Sequence, residues 1–127
     1  MHFIALLCKF GEEKNNILNI IDIFVHPSRN EGLPTSVIEA ASFGKPCLVS
    51  EATNIADKII KYKAGTSISN QSITELAAAL QEMYSIWTDD EVYKNYCENA
   101  ILMVNENYCW KNVIEKINEK LYEINGI

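Results

Sequence analysis

Between residues 3 and 68 short apolar runs alternate with segments of helical character, and this alternation restricts the fold more than any other feature. Residues 3–8 read as a short apolar strand, broken by Gly11-Glu12-Glu13. Lys14 to Ile21 reads as a short helix. Asp22-Ile23-Phe24-Val25-His26 is β-branched and aromatic and is stopped by Pro27-Ser28, which marks a second strand. A polar loop over 28–32 leads to Pro34, whose missing N–H suits a first helical position. That helix is expected to run to about Phe43 and to stop at Gly44. Residues 46–50 form a third strand, 54–62 a third helix and 65–68 a short last strand. The β-α-β-α-β-α-β order predicts an α/β, Rossmann-like parallel sheet with helices on both faces.

Beyond residue 70 the pattern becomes helical. Ser72-Ile73-Thr74-Glu75 and Thr88-Asp89-Asp90-Glu91 each have the form of a capping box. Ile73, Leu76, Leu80, Met83 and Trp87 repeat at helical spacing, as do Ile114, Ile117, Leu121 and Ile124. Both stripes read as core packing. The 127 residues fit about one domain. With 48% hydrophobic and 22% charged residues, the chain is expected to fold.

The net charge of −6 argues against a nucleic-acid binder, because counterion release needs a basic surface. A polybasic membrane anchor is disfavoured for the same reason. No apolar run reaches the roughly 18–20 residues of a membrane span. The apolar start lacks the basic lead and small-residue cleavage site of a signal peptide. Cys8, Cys47, Cys97 and Cys109 lie far apart without a C-x-x-C pair, so reduced, partly buried thiols are expected rather than a zinc site or disulfides.

In open α/β sheets ligands bind beyond the carboxyl ends of the strands. Two such ends stand out, Ser50-Glu51-Ala52-Thr53-Asn54 and, richer, His26 through Thr35. In the second, Glu31 and Glu39 flank a helix start, whose N–H groups and positive dipole end suit a phosphate. Thr35 and Ser36 are the expected backbone donors, and Gly32 allows close approach of the chain to a ligand. Glu39 lies one turn after Thr35 on the same face, and helical side chains lean toward the N-terminus. A carboxylate there accepts hydrogen bonds from hydroxyl pairs of a ribose or hexose. His26 ends a strand at the mouth of the same crevice. Ser28 and Ser50 show no His/Asp pattern that would make them nucleophiles.

The run from Asp22 to Ser50 contains His26-Pro27-Ser28, Glu31-Gly32-Leu33-Pro34-Thr35-Ser36-Val37-Ile38-Glu39 and Gly44-Lys45-Pro46. It resembles the C-terminal donor-binding domain of group 1 glycosyltransferases, the family 4, GT-B fold, retaining enzymes. The resemblance reaches through Gly65, and Tyr108-Cys109-Trp110 with the last helix resembles the usual ending of that family. It implies a nucleotide-diphosphate-sugar site. Glu31 would accept hydrogen bonds from the donor sugar and stand as the catalytic residue. Gly32, Leu33, Pro34, Thr35 and Ser36 would hold the diphosphate and nearby sugar oxygens, and Glu39 the ribose hydroxyls. Neither a metal ion nor another cofactor is implied; the nucleotide sugar is the donor substrate.

The resemblance further implies that residues 1–127 form a single truncated donor-binding domain. Residues 1–70 would be its nucleotide-sugar-binding part and 71–127 its C-terminal helices. The expected function is retaining sugar transfer to a glycan or lipid-linked acceptor, as in polysaccharide biosynthesis, with this chain inactive alone. A non-catalytic nucleotide- or partner-binding module and a decayed remnant are the rivals. The expected partners are a nucleotide sugar and a missing N-terminal acceptor domain. The expected location is cytoplasmic, with membrane association through the missing part. Departures from the family pattern are Leu7-Cys8 in place of a glycine, Thr53-Asn54 in place of Gly-Gly, and Asp57 near a usual glutamate.

In a doubly wound sheet the strands run 3-2-1-4-5-6. If this chain holds the last four, its first strand lacks its usual neighbour and one edge of the 22–26 strand is open. Either the first strand moves beside 22–26, or two chains pair edge to edge as a homodimer.

Overall fold

The computed structural model describes residues 3–4, 11–27, 35–69, 72–108 and 118–119. In chain order the elements are β1 (Phe3–Ile4), α1 (Gly11–Ile20), β2 (Ile23–His26), α2 (Thr35–Ser42), β3 (Cys47–Ser50), α3 (Ala56–Tyr62), β4 (Gly65–Ile68), α4 (Ile73–Thr88) and α5 (Asp90–Asn107). The four strands form one parallel sheet in the order β1-β2-β3-β4. The expected parallel α/β architecture is therefore present.

Side chains alternate across this sheet. Phe24, Cys47 and Val49 join one buried cluster with Leu18 of α1, Val37, Ala40 and Ala41 of α2, Ile59 of α3, and Ala100, Met103 and Val104 of α5. Ile23, Val25, Leu48 and Ile68 join a second with Ala79 and Met83 of α4. Burial on both faces explains why β2 and β3 read as unbroken apolar runs rather than alternating ones. The helices on the first face come from every crossover between strands, so winding is progressive and the described sheet has no point where strand order reverses.

Several local expectations shift. The first helix, expected from Lys14, already opens at Gly11-Glu12-Glu13; acidic residues suit the positive end of a helix dipole. The third helix begins at Ala56 rather than Asn54, after a turn that Thr53 closes. Ser72 caps α4 by accepting the Glu75 N–H at 3.1 Å, as its sequence predicts. The next cap falls one residue later than expected. Asp89, not Thr88, accepts the Val92 N–H, while Thr88 donates its hydroxyl back to the Ser85 carbonyl and ends α4. Ile73 drops out of the core stripe at 86% exposure, because it stands in the first turn of α4, before the helix reaches the sheet. Met83 is buried, and Leu76, Leu80 and Trp87 are partly buried against the same cluster. The stripe over 114–124 lies outside the described residues, apart from 118–119, which are helical.

β1 lies beside β2, with Phe3 opposite Ile23 and Ile4 opposite Phe24. Of the two arrangements open to the first strand, the one within the chain is present.

Candidate functional site

The carboxyl ends of β2 and β3 lie side by side, with His26 in register with Val49. Each end leads into a helix on the same face of the sheet, so the starts of α2 and α3 are carried to this end. Glu31, Gly32, Leu33 and Pro34 lie outside the described residues. Thr35, Ser36 and Glu39 fall in α2. Val37, Ala40 and Ala41 face the sheet and fasten the helix down. Thr35 is exposed, and Ser36 and Glu39 are half-buried. The structure thus places these three on one short helix, with Glu39 one turn beyond Thr35. The end of α2 is closed by Gly44, whose N–H reaches the Ala41 carbonyl at 2.9 Å. Its φ of 74° is the left-handed value that favours glycine.

After β3 the chain makes a tight polar turn. Ser50 Oγ accepts the Ala52 N–H at 3.1 Å, and Thr53 Oγ1 donates to the Ser50 carbonyl at 2.8 Å. Ser50 and Thr53 are both buried, while Glu51 and Ala52 are exposed. Serine and threonine hydroxyls commonly close such turns. The turn forms the second lip of the candidate site. His26 completes this end of β2, its ring stacked on Phe24 at 6.2 Å between centroids.

The amino ends of the strands carry a different chemistry. Tyr93 of α5 donates its hydroxyl to the Asp22 carbonyl at 2.6 Å. Burial pushes the Tyr93 hydroxyl up, with Cys97 and Asp22 adding to the effect. Cys97 is also raised by burial, against a lowering hydrogen bond from Tyr93. Cys47 is wholly buried, and burial drives its thiol far above the ordinary range. A protonated thiol is a poor nucleophile. Both cysteines are free, as the spacing led us to expect, while Cys8 and Cys109 lie outside the described residues. Among the described residues no three His, Cys, Asp or Glu side chains gather as a metal site. No helix among them is long and apolar enough to cross a membrane.

A parallel sheet with helix starts gathered at its carboxyl end defines an α/β fold suited to nucleotide ligands. The sequence profile described as Glycosyl transferases group 1 matches residues 5–103, and the chain belongs to this family. One relative is the UDP-Gal:alpha-D-GlcNAc-diphosphoundecaprenol alpha-1,3-galactosyltransferase of Escherichia coli. It is 35% identical over 101 residues, covering 76% of this chain and 25% of the relative. The chain therefore spans about a quarter of that relative's length.

Two solved structures share the fold. A sucrose-phosphate synthase from Thermosynechococcus elongatus superposes with a TM-score of 0.75 at 19% identity, covering 94% of this chain and 30% of the other. The C-terminal domain of a glycosyl transferase group 1 family protein (LpcC) from Francisella tularensis gives 0.66 at 18% identity, covering 85% and 53%.

Proposed function

We propose that this chain is the donor-binding portion of a retaining glycosyltransferase, residues 1–70 carrying the nucleotide-sugar site and 71–127 the helices that brace it. The observation that carries the reading is α2. It opens at the carboxyl end of β2, presents Thr35 and half-buried Ser36 in its first turn, and sets half-buried Glu39 one turn later. First-turn N–H groups and the positive dipole end suit a diphosphate, and a carboxylate one turn on suits ribose hydroxyls. Glu31 is assigned to the donor sugar, and Gly32, Leu33 and Pro34 to the approach of the backbone to the diphosphate. No metal or other cofactor is assigned. A helix start aimed at the departing nucleotide would stabilise its developing charge, and only the part of that interaction that strengthens in the transition state raises the rate.

The proposed reaction passes a sugar to a glycan or lipid-linked acceptor in polysaccharide biosynthesis; the E. coli relative is named for a diphosphoundecaprenol-linked one. In doubly wound sheets the ligand crevice lies where strand order reverses, and the described sheet winds one way only. We assign the second wall to further polypeptide, an acceptor-binding domain above all, and a second copy paired along an outer strand of the sheet as the alternative. The proposed setting is the cytoplasm, with any membrane contact made through that further polypeptide.

Calorimetry of the chain with UDP and GDP tests the reading. Weak binding that falls on Glu39→Ala is expected, and sugar transfer by the chain alone should be undetectable. Equal binding by the variant removes Glu39 from the site, and robust transfer by residues 1–127 overturns the claim of inactivity.

A further inference from the structure

We infer that the outward flank of α4 is a self-association surface, occupied by a second copy of this chain lying antiparallel along the same helix. The inference goes beyond the nucleotide reading and does not depend on it.

α4 is apolar over more of its circumference than a helix lying on a sheet needs. Ala79, Met83 and Ile86 face the cluster built on Ile23, Val25, Leu48 and Ile68. Beside them Ile73, Ala77, Leu80, Tyr84 and Trp87 follow at steps of four, three, four and three residues, the a/d spacing of a coiled-coil seam. At ~3.6 residues per turn the two rows together cover about half the helix surface. Leu80 and Trp87 rest on the cluster by one side only. Ala77 is exposed, and Ile73 and Tyr84 stand at 86% and 47% exposure. The Tyr84 and Trp87 rings lie 5.9 Å apart between centroids. An aromatic pair is thus held together at one end of the seam, and such side chains commonly anchor interfaces.

Charge and symmetry point to the occupant. The only charged residues of α4 are Glu75 and Glu82, and both are engaged off the seam. Glu75 accepts the N–H and hydroxyl of Ser69, and Glu82 accepts the Thr66 hydroxyl at 3.2 Å. α5, of similar length, carries five charged residues. With a net charge of −6, two copies repel over most of their surfaces. The uncharged seam lets them meet without setting like charges opposite one another. It is also self-complementary. With a twofold axis between Ala78 and Ala79, Ile73 lies opposite Tyr84 of the partner subunit, and Ala77 opposite Leu80 of the partner subunit, small against large. One helix pair buries less than a standard interface, so a weak dimer is expected, with a dissociation constant on the order of 10–100 μM.

Sedimentation equilibrium of the chain from roughly 5 to 500 μM should show this dimer. Ile73→Lys and Tyr84→Glu each bury an unpaired charge in the pair, and each should weaken association at least about tenfold. Both positions are exposed, so melting temperatures measured on dilute samples should match the parent. An equal mixture of the two variants should associate again, because the introduced charges of opposite sign face each other across the antiparallel pair. A chain monomeric throughout the concentration range overturns the inference. So does a dimer that survives both variants, which places the contact elsewhere, an outer strand of the sheet included. Weakening by both variants without recovery in the mixture overturns the antiparallel register.

Discussion

The two ends of the sheet are built differently. At the amino ends, backbone and side chains close on one another. Gly65 lies so near Cys47 that a Cβ there would stand 1.8 Å from the Cys47 carbonyl oxygen. Tyr93 ties α5 to Asp22, and Asn99 donates its side-chain amide to the Lys63 carbonyl. At the carboxyl ends, polar side chains line short turns and helix starts. One end holds the fold and the other is the end proposed for ligands, a division expected where function sits on turns carried by a rigid scaffold. Substitutions at the amino ends should therefore cost stability, while those at the carboxyl ends should cost binding.

The largest effect is expected at Gly65→Ala. The clash is with backbone, which cannot swing aside, so a loss of more than about 3 kcal/mol is expected. Urea unfolding would show it, and a variant melting like the parent would mean that β3 and β4 are looser than their register implies.

Alkaline pH attacks the same end. Cys47, Cys97 and Tyr93 all hold their protons more tightly when folded. Their contribution is fully present below the unfolded values, about 8.5 for cysteine and 10 for tyrosine, and is lost as pH rises above them. Stability should be level between about pH 6.5 and 8 as far as these groups are concerned, then fall. Cys47 alone would account for roughly 2 kcal/mol by pH 10, and Cys47→Ala should flatten the decline in a series of thermal melts.

Tyr93→Phe removes one hydrogen bond and leaves the Asp22 carbonyl to find another donor, at a cost of about 1 kcal/mol in denaturant unfolding. Lys63→Gly should act in the opposite direction. Lys63 ends α3 with φ 55°, a left-handed conformation unfavourable for any residue with a Cβ. A gain of about 0.5–1 kcal/mol is expected, after allowing for the greater freedom of glycine in the unfolded chain.

The smallest effect on stability is expected at Glu39→Ala, within about 0.5 kcal/mol as for a partly exposed helix residue, although this same variant should lose nucleotide binding. A large fall in melting temperature would make Glu39 part of the scaffold and erase the contrast between the two ends.

The sequence by itself determined the pieces whose signals are local. The apolar runs of β2 and β3, the Gly44 stop, the Ser72 cap and the α/β alternation depend on neighbours within a turn or two, and they were legible for that reason. The two lips of the candidate site were legible too, because they are strand ends. The tertiary structure decided what depends on partners far along the chain. β1 takes the place beside β2, and Tyr93 finds a carbonyl 71 residues away. Gly65 is demanded by a strand that begins at Cys47, and Ile73 is left in solvent despite its place in an apolar stripe. Hydrophobic periodicity tells which face of an element seeks burial, but only the assembled sheet and its helices determine how far along each element that burial extends.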